Sequence, residues 1–202
     1  MNPRIIVTGI GFVTSIGNDR LTVTDSLRKL TTGIEKHNEL QCETSPVKVA
    51  GTIKDFDVQS TDPEDWTYPS AYQVPRAVIR SFSPHVLYAW CAVRQAIEDA
   101  GLSEEDLSNP DSGLYTASGG SMRSIHKHFQ KMDDLGVMAC NPLAIIASIA
   151  GTLSFNLVAA LKIRGSSTGF VSACASSGHA LGTALDEIRL GRQKRMLVVG
   201  AE

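Results

Sequence analysis

The 202-residue sequence predicts an α/β fold, a mainly parallel sheet covered by helices. Short β-branched runs recur at residues 4–10, 113–117, 168–172 and 195–200, and each suits a strand buried in one common sheet. Between them lie segments with apolar residues at helical spacing, notably 84–100 and 176–190. Glycines such as Gly101 and Gly191 close these segments, as expected of helix C-termini.

Taken in order, Arg4 to Ile10 reads as a strand feeding a loop that carries Gly11 and Gly17. A helix follows near Leu21 to Leu30, with Leu21, Leu27 and Leu30 available to pack inward. The pattern then weakens from Thr31 to Arg80, where Pro46, Pro63, Pro69 and Pro75 point to irregular chain with short strands such as Val47 to Ile53. Pro84 suits the first turn of the next helix, which places Val86, Ala89, Trp90, Val93, Ala96, Ile97 and Ala100 on one face. Ser103 is a candidate cap after it. The strand at 113–117 runs into the polar glycine loop Ser118-Gly119-Gly120-Ser121. The stretch Leu143 to Leu161 is apolar but interrupted by Ser148, Gly151, Thr152, Ser154 and Asn156, so it reads as a buried helix and not as a membrane span. The last helix, Ser176 to Leu190, sets Ala180, Leu181, Ala184, Leu185 and Ile188 inward and Asp186, Glu187 and Arg189 outward.

With 43% hydrophobic and 20% charged residues the chain can bury a core and is not compositionally disordered. Nineteen Lys and Arg against twenty-one Asp and Glu leave a net charge of −2, which makes nucleic acid and anionic membranes improbable partners. No charged leader with an apolar segment opens the sequence, so the expected location is the cytoplasm. The four cysteines, Cys42, Cys91, Cys140 and Cys174, have neither the density of a disulfide scaffold nor metal-site spacing. His126 and His128, two residues apart, do not aim at one metal from a helix, and a solvated setting is expected for them. No cofactor or metal is expected.

Cys174 is the candidate for chemistry. It falls between the strand at 168–172 and the helix opened by Ser176-Ser177, a position where unpaired N–H groups and the positive end of the helix dipole favour a thiolate and an oxyanion. Small neighbours, Ala173, Ala175 and Gly178, leave room for a thioester. A free cysteine among small residues is also the ordinary mark of a buried apolar group, and spacing alone does not separate the two. His179 lies five residues along the helix on a different face, which argues against a Cys-His pair.

The run Val171-Ser172-Ala173-Cys174-Ala175-Ser176-Ser177-Gly178-His179-Ala180-Leu181-Gly182 resembles the active-site signature of the β-ketoacyl-[acyl carrier protein] synthases. Ile6-Val7-Thr8-Gly9-Ile10-Gly11 with Ser15-Ile16-Gly17-Asn18 is similar to that family's opening strand and loop, and Ala96-Ile97-Glu98-Asp99-Ala100-Gly101-Leu102 to its second helix. Lys162-Ile163-Arg164-Gly165 and Glu187-Ile188-Arg189-Leu190-Gly191 also match. The resemblance runs the length of the chain and is weakest between about 31 and 80.

The resemblance implies a thiolase-like layered fold that dimerises beside the nucleophile strand, as a homodimer or with a synthase-like second chain. It implies that Cys174 accepts an acyl group from acyl carrier protein or coenzyme A, then surrenders it to malonyl-acyl carrier protein in a decarboxylative Claisen condensation of fatty-acid or polyketide type. It also implies that residues 1–202 are the N-terminal half, with two histidines, a lysine and a glycine-rich loop contributed by a C-terminal half. Packing leads to the same expectation, because a chain that stops on a core strand leaves a sheet face uncovered.

Gly119, Gly120 and Met122 align with the acyl pocket. Elongating members often carry a bulky apolar residue where Gly120 stands, so glycine there is expected to open space. The stretch Ala150 to Asn156 lacks the Asn and Ala-Gly-His elements common in the matching helix. Three other readings are a non-catalytic chain-length-factor partner, a coenzyme A-dependent thiolase-superfamily acyltransferase, and a cysteine hydrolase. The first generally lacks the cysteine, and the last needs a histidine base.

Overall fold

Ser112–Ala117 is buried at every residue, on both faces of the chain, which is the environment of a central strand in a covered parallel sheet. The computed structural model describes residues 4–202 and builds outward from this strand. In chain order the elements are α1 (Arg20–Arg28), β1 (Ile34–Lys36), β2 (Val49–Gly51), α2 (Arg76–Ile79), α3 (Pro84–Asp99), α4 (Glu104–Leu107), β3 (Ser112–Ala117), α5 (Met122–Leu135), α6 (Ala144–Ser148), α7 (Thr152–Leu161), β4 (Ser167–Phe170), α8 (Ser176–Arg189) and β5 (Arg195–Gly200). The main sheet has the order β4-β3-β5, all parallel, with Leu114 beside Ser167 and Leu197. A separate antiparallel pair joins β1 to β2.

From β3 to β4 the chain steps toward one edge, and from β4 to β5 it crosses back over β3 to the other. Crossovers of one hand taken in opposite directions must cover opposite faces. The packing agrees. On one face Leu114 and Val199 meet Leu153, Leu157 and Leu161 of α7 and Val86, Ala89, Trp90, Val93 and Ile97 of α3. On the other, Tyr115 and Ala117 pack with Ala180 and Ala184 of α8, and Phe170 sets its ring edge-on to Tyr115 at 5.5 Å. Neighbouring residues of β3 thus serve different layers, as the two-residue period of a strand requires.

The capping expectations hold at Ser103, which forms a reciprocal capping box with Asp106 ahead of α4. Pro84 opens α3 as expected. Buried Asn156 of α7 is fully occupied: its Nδ2 donates to the carbonyls of Ser81 and Thr152, and its Oδ1 accepts from Ser81 Oγ.

Several expectations are corrected. Residues 4–10 belong to no sheet; the end of the segment lies against α3, where the Ile10 N–H donates to Asp99 Oδ2 and the Phe12 N–H to Gln95 Oε1. Gly9 and Gly11 permit this approach, since a Cβ at either would collide with the carbonyl oxygens of Ala96 and Ala92. The β-branched run signals extended chain but not a hydrogen-bonding partner, and Ile6 and Val7 stay 66% and 77% exposed. Leu21, Leu27 and Leu30 are exposed, and Val23 is the residue that α1 buries. The strand expected over Val47 to Ile53 is limited to β2, and that expected over 168–172 shifts to Ser167–Phe170. The apolar stretch 143–161 forms two helices, α6 and α7, parted at Ile149–Gly151. On α8, Leu181 faces out, while Glu187 turns inward to pair with Arg192 at 3.1 Å across the Gly191 turn.

Replacing Gly11 with alanine should destabilise the intact protein by about 1–3 kcal/mol through overpacking, read as a lower urea midpoint at unchanged slope. A second expectation concerns His85, buried at the start of α3 with Nδ1 3.0 Å from Ser83 Oγ. Burial lowers its pKa from 6.5 to about 4, against an opposing pull from Glu202. Its stability contribution is therefore complete above pH 6.5 and lost as the pH falls toward 4. His85→Gln should flatten the pH dependence of the urea midpoint in that window, and an unchanged slope would contradict this reading.

Candidate active site

Parallel strands deliver their C-terminal ends to one side of a sheet, and ligands are commonly taken there. At that side β3 runs into the glycine loop at 118–121, β4 into Cys174, and β5 into Ala201 and Glu202. The Gly119 N–H donates to Glu202 Oε1 at 3.1 Å, and Ala201 N–H to the Ala117 carbonyl at 3.1 Å, tying the first and last of these ends together.

Cys174 is exposed and sits between β4 and α8, the strand-to-helix turn expected from its sequence. The turn is sharp. Ala173 adopts φ +46°, a left-handed conformation that costs an L-residue on the order of 1–2 kcal/mol. Ser176 holds it: its Oγ accepts the Ser172 N–H at 2.7 Å and donates to the Ala173 carbonyl at 2.7 Å. Two backbone bonds, Ala175 N–H to Ser172 O and Ser176 N–H to Ala173 O, both 3.1 Å, complete the turn. No side chain caps α8, and while its Ser176 N–H is taken by the turn, the Ser177 and Gly178 N–H groups remain available to an oxyanion near Cys174.

The other cysteines occupy different settings. Cys91 is buried within α3, and desolvation pushes its thiol up to about 12, which leaves it inert. Cys140 is half-buried with its thiol 3.7 Å from the Gly136 carbonyl. Cys42 is exposed, and hydrogen bonding to the Thr44 side chain and the Ser45 N–H holds its thiol below the usual range. Exposure alone therefore does not single out Cys174; the strained turn and the open helix end do. His179 is exposed on α8 and makes no hydrogen bond to Cys174.

Gly120 has φ +88°, and a Cβ there would fall 2.7 Å from the Ser148 carbonyl oxygen and 2.9 Å from Ala150 N. The glycine is required by the backbone packed against it, so the idea that it opens side-chain space is corrected. A Cβ at Gly119 would instead meet Glu202 Oε1 at 3.2 Å. Met122, first residue of α5, is 78% exposed. Helix α5 itself was not expected from the sequence. Its signal lies in the Ser121 cap, which accepts from the Ser124 N–H, and in Met122, Ile125, Phe129 and Met132 at three- and four-residue spacing.

Residues 2–202 match the model of the β-ketoacyl synthase N-terminal domain. The chain belongs to the β-ketoacyl synthase family. It is 36% identical to 3-oxoacyl-[acyl-carrier-protein] synthase 1 of Haemophilus influenzae over 203 residues, covering 98% of this chain and 46% of the relative. The synthase 1 of Escherichia coli K12 is 32% identical over 202 residues, with 98% and 47% covered. The chain thus spans about half the length of the curated relatives it matches. Among solved structures, the ishigamide ketosynthase/chain length factor superposes with a TM-score of 0.75 at 26% identity, covering 93% of this chain and 44% of that one. A β-ketoacyl synthase from Burkholderia phymatum STM815 gives 0.75 at 25% identity. The α/β architecture is that of the ketosynthases.

Iodoacetamide should modify exposed Cys42 and Cys174 and spare Cys91, as read by peptide mass spectrometry. Ser176→Ala should cost about 0.5–1.5 kcal/mol, because the Ser172 N–H loses its acceptor, and should slow modification of Cys174 but not of Cys42.

Proposed function

We propose that this chain is the acyl-accepting half of a 3-oxoacyl-[acyl carrier protein] synthase, with Cys174 as nucleophile. The observation that carries the reading is the exposed thiol on a strained turn, between the end of β4 and the uncapped start of α8. Cys174 Sγ attacks the carbonyl carbon of an acyl thioester, the first-turn amides of α8 stabilise the tetrahedral oxyanion, and the carrier's thiol leaves with a proton. Malonyl-acyl carrier protein then loses carbon dioxide, and its α-carbon attacks the acyl-enzyme carbonyl. That step forms the new carbon–carbon bond and releases the Cys174 thiolate together with a 3-oxoacyl carrier.

The relatives' names, 3-oxoacyl-[acyl-carrier-protein] synthase, support a carrier protein as partner. The shared length supports a division in which residues 1–202 form the N-terminal half, and the histidines and lysine expected for decarboxylation belong to the remainder. Apolar side chains left exposed, Ile6, Val7, Leu21 and Val171, are in keeping with further polypeptide covering them. Gly119, Gly120 and Met122 line the approach to the acyl group in this reading, with Gly120 acting through its backbone. The outer edge of β4 is unpaired among the described residues, and exposed Ser167, Thr168 and Gly169 suit pairing with a second synthase-like chain, either identical or of chain-length-factor type. No helix among the described residues is long and apolar enough to cross a membrane. Four free cysteines support a cytoplasmic location.

The test is the intact protein given acyl- and malonyl-acyl carrier protein. Cys174 alone should carry the acyl group in a trypsin digest, and Cys174→Ala should reduce 3-oxoacyl product by at least about a thousandfold. An acyl group on Cys42 with Cys174 unmodified, or product formation undiminished in the variant, would overturn the assignment.

A further inference from the structure

A cleft separate from Cys174 lies between the 58–66 segment, α5 and the start of α6, with Phe82 among its lining residues. Arg80, Arg123, Lys127 and Lys131 line it, and no carboxylate does. Arg123, Lys127 and Lys131 recur at four-residue intervals, so α5 presents them as one stripe. Of the four, only Arg80 has a carboxylate partner among the described residues, Glu64 at 3.5 Å. Gln59 orients two of the others: the Arg123 guanidinium donates to its side-chain carbonyl, and Lys127 Nζ donates to its backbone carbonyl at 2.6 Å. These acceptors are neutral, so the positive charge gathered there is not compensated.

Hydroxyl donors and an apolar wall complete the cleft. Ser124 Oγ accepts from Ser121 Oγ, which leaves its own proton free, and Thr61 lies on the opposite side. The Trp66 indole is held by its Nε1 donating to the Ser60 carbonyl at 2.9 Å, and its ring lines the cleft together with Phe82. Several cations with hydroxyl donors beside an apolar wall match a multiply charged oxyanion.

We propose that this cleft binds the phosphate group of a small phosphorylated ligand, through Arg123, Lys127 and Lys131. The proposal does not rest on the acyl-transfer reading. The ammonium of Lys127 is already lowered in pKa by partial burial and by the neighbouring Arg123 charge, with Glu39 pulling weakly the other way. A bound anion relieves that repulsion. The site is also joined to the glycine loop: Ser148 lines the cleft, and its carbonyl accepts the Ser121 N–H at 3.0 Å. An anion there would therefore be felt next to Gly120.

The experiment is calorimetric titration of the intact protein with inorganic phosphate and with pyrophosphate, at an ionic strength held constant with sodium chloride. Pyrophosphate should bind more tightly than phosphate, and Arg123→Gln with Lys127→Gln should raise its Kd at least about tenfold, near 1.4 kcal/mol. Lys131→Gln, a partly exposed position that leaves the helix intact, should raise it roughly two- to fivefold. Lys29→Gln, just past the end of α1 and paired with Asp25, should change nothing. Absence of binding at millimolar pyrophosphate would overturn the proposal, as would equal affinity in wild type and double variant. Acyl carrier protein whose affinity falls in the double variant while pyrophosphate fails to bind would also overturn it, and would assign the stripe to macromolecular docking.

Discussion

Strand β3 takes hydrogen bonds from parallel neighbours on both edges and packing on both faces, and none of its residues is exposed. Buried backbone amides and carbonyls tolerate this only if every one is paired, so β4 and β5 are conditions for β3 and not additions to it. The two faces make a similar demand. Leu114 requires the α3–α7 layer, and Tyr115 and Ala117 require α8. Because all three strands are parallel, the same constraint gathers the glycine loop, Cys174 and Glu202 at one end of the sheet. The position of the candidate nucleophile therefore follows from core packing rather than from any local preference of residue 174.

Local chemistry then sets the shape of that position. The sharp turn from β4 into α8 places one residue in the small left-handed region that residues other than glycine seldom occupy. Here the residue is Ala173, and Ser176 meets the cost with two hydrogen bonds. A side chain larger than alanine's at 173 would add to the strain, while glycine would remove it and loosen the turn. Strain of this kind concentrates where geometry matters for chemistry.

The sequence made β3, β5 and α3 legible because their apolar runs coincide with their burial, and α8 legible as an element though only partly in the face it buries. The cysteine setting was equally plain, since strand, small residues and helix start are all local. What was not legible depends on partners distant in the chain. Residues 4–10 carry the β-branched signal of a strand, but whether such a run joins a sheet is decided by which strand reaches its edge, and the end of this one lies against α3 instead. Glu187 looked solvent-facing by helical angle, yet Arg192, beyond the helix end, returns to neutralise it. Helix α5 escaped notice because its charges interrupt the apolar spacing. Those same charges are what line the cleft.

Gly120 separates two notions of a specificity position. In a pocket whose size is set by side chains, evolution or an engineer can widen or narrow it one methyl group at a time. Residue 120 allows no such gradation, because the backbone of Ser148, Ile149 and Ala150 already fills the volume a side chain would need. Any substitution there would have to displace the 148–150 backbone that joins α6 to α7. Under the proposed acyl-pocket role, changes of substrate range would then have to come from shifts of the 148–150 segment or from residues beyond the glycine loop, and variation at 120 would register first as folding defects.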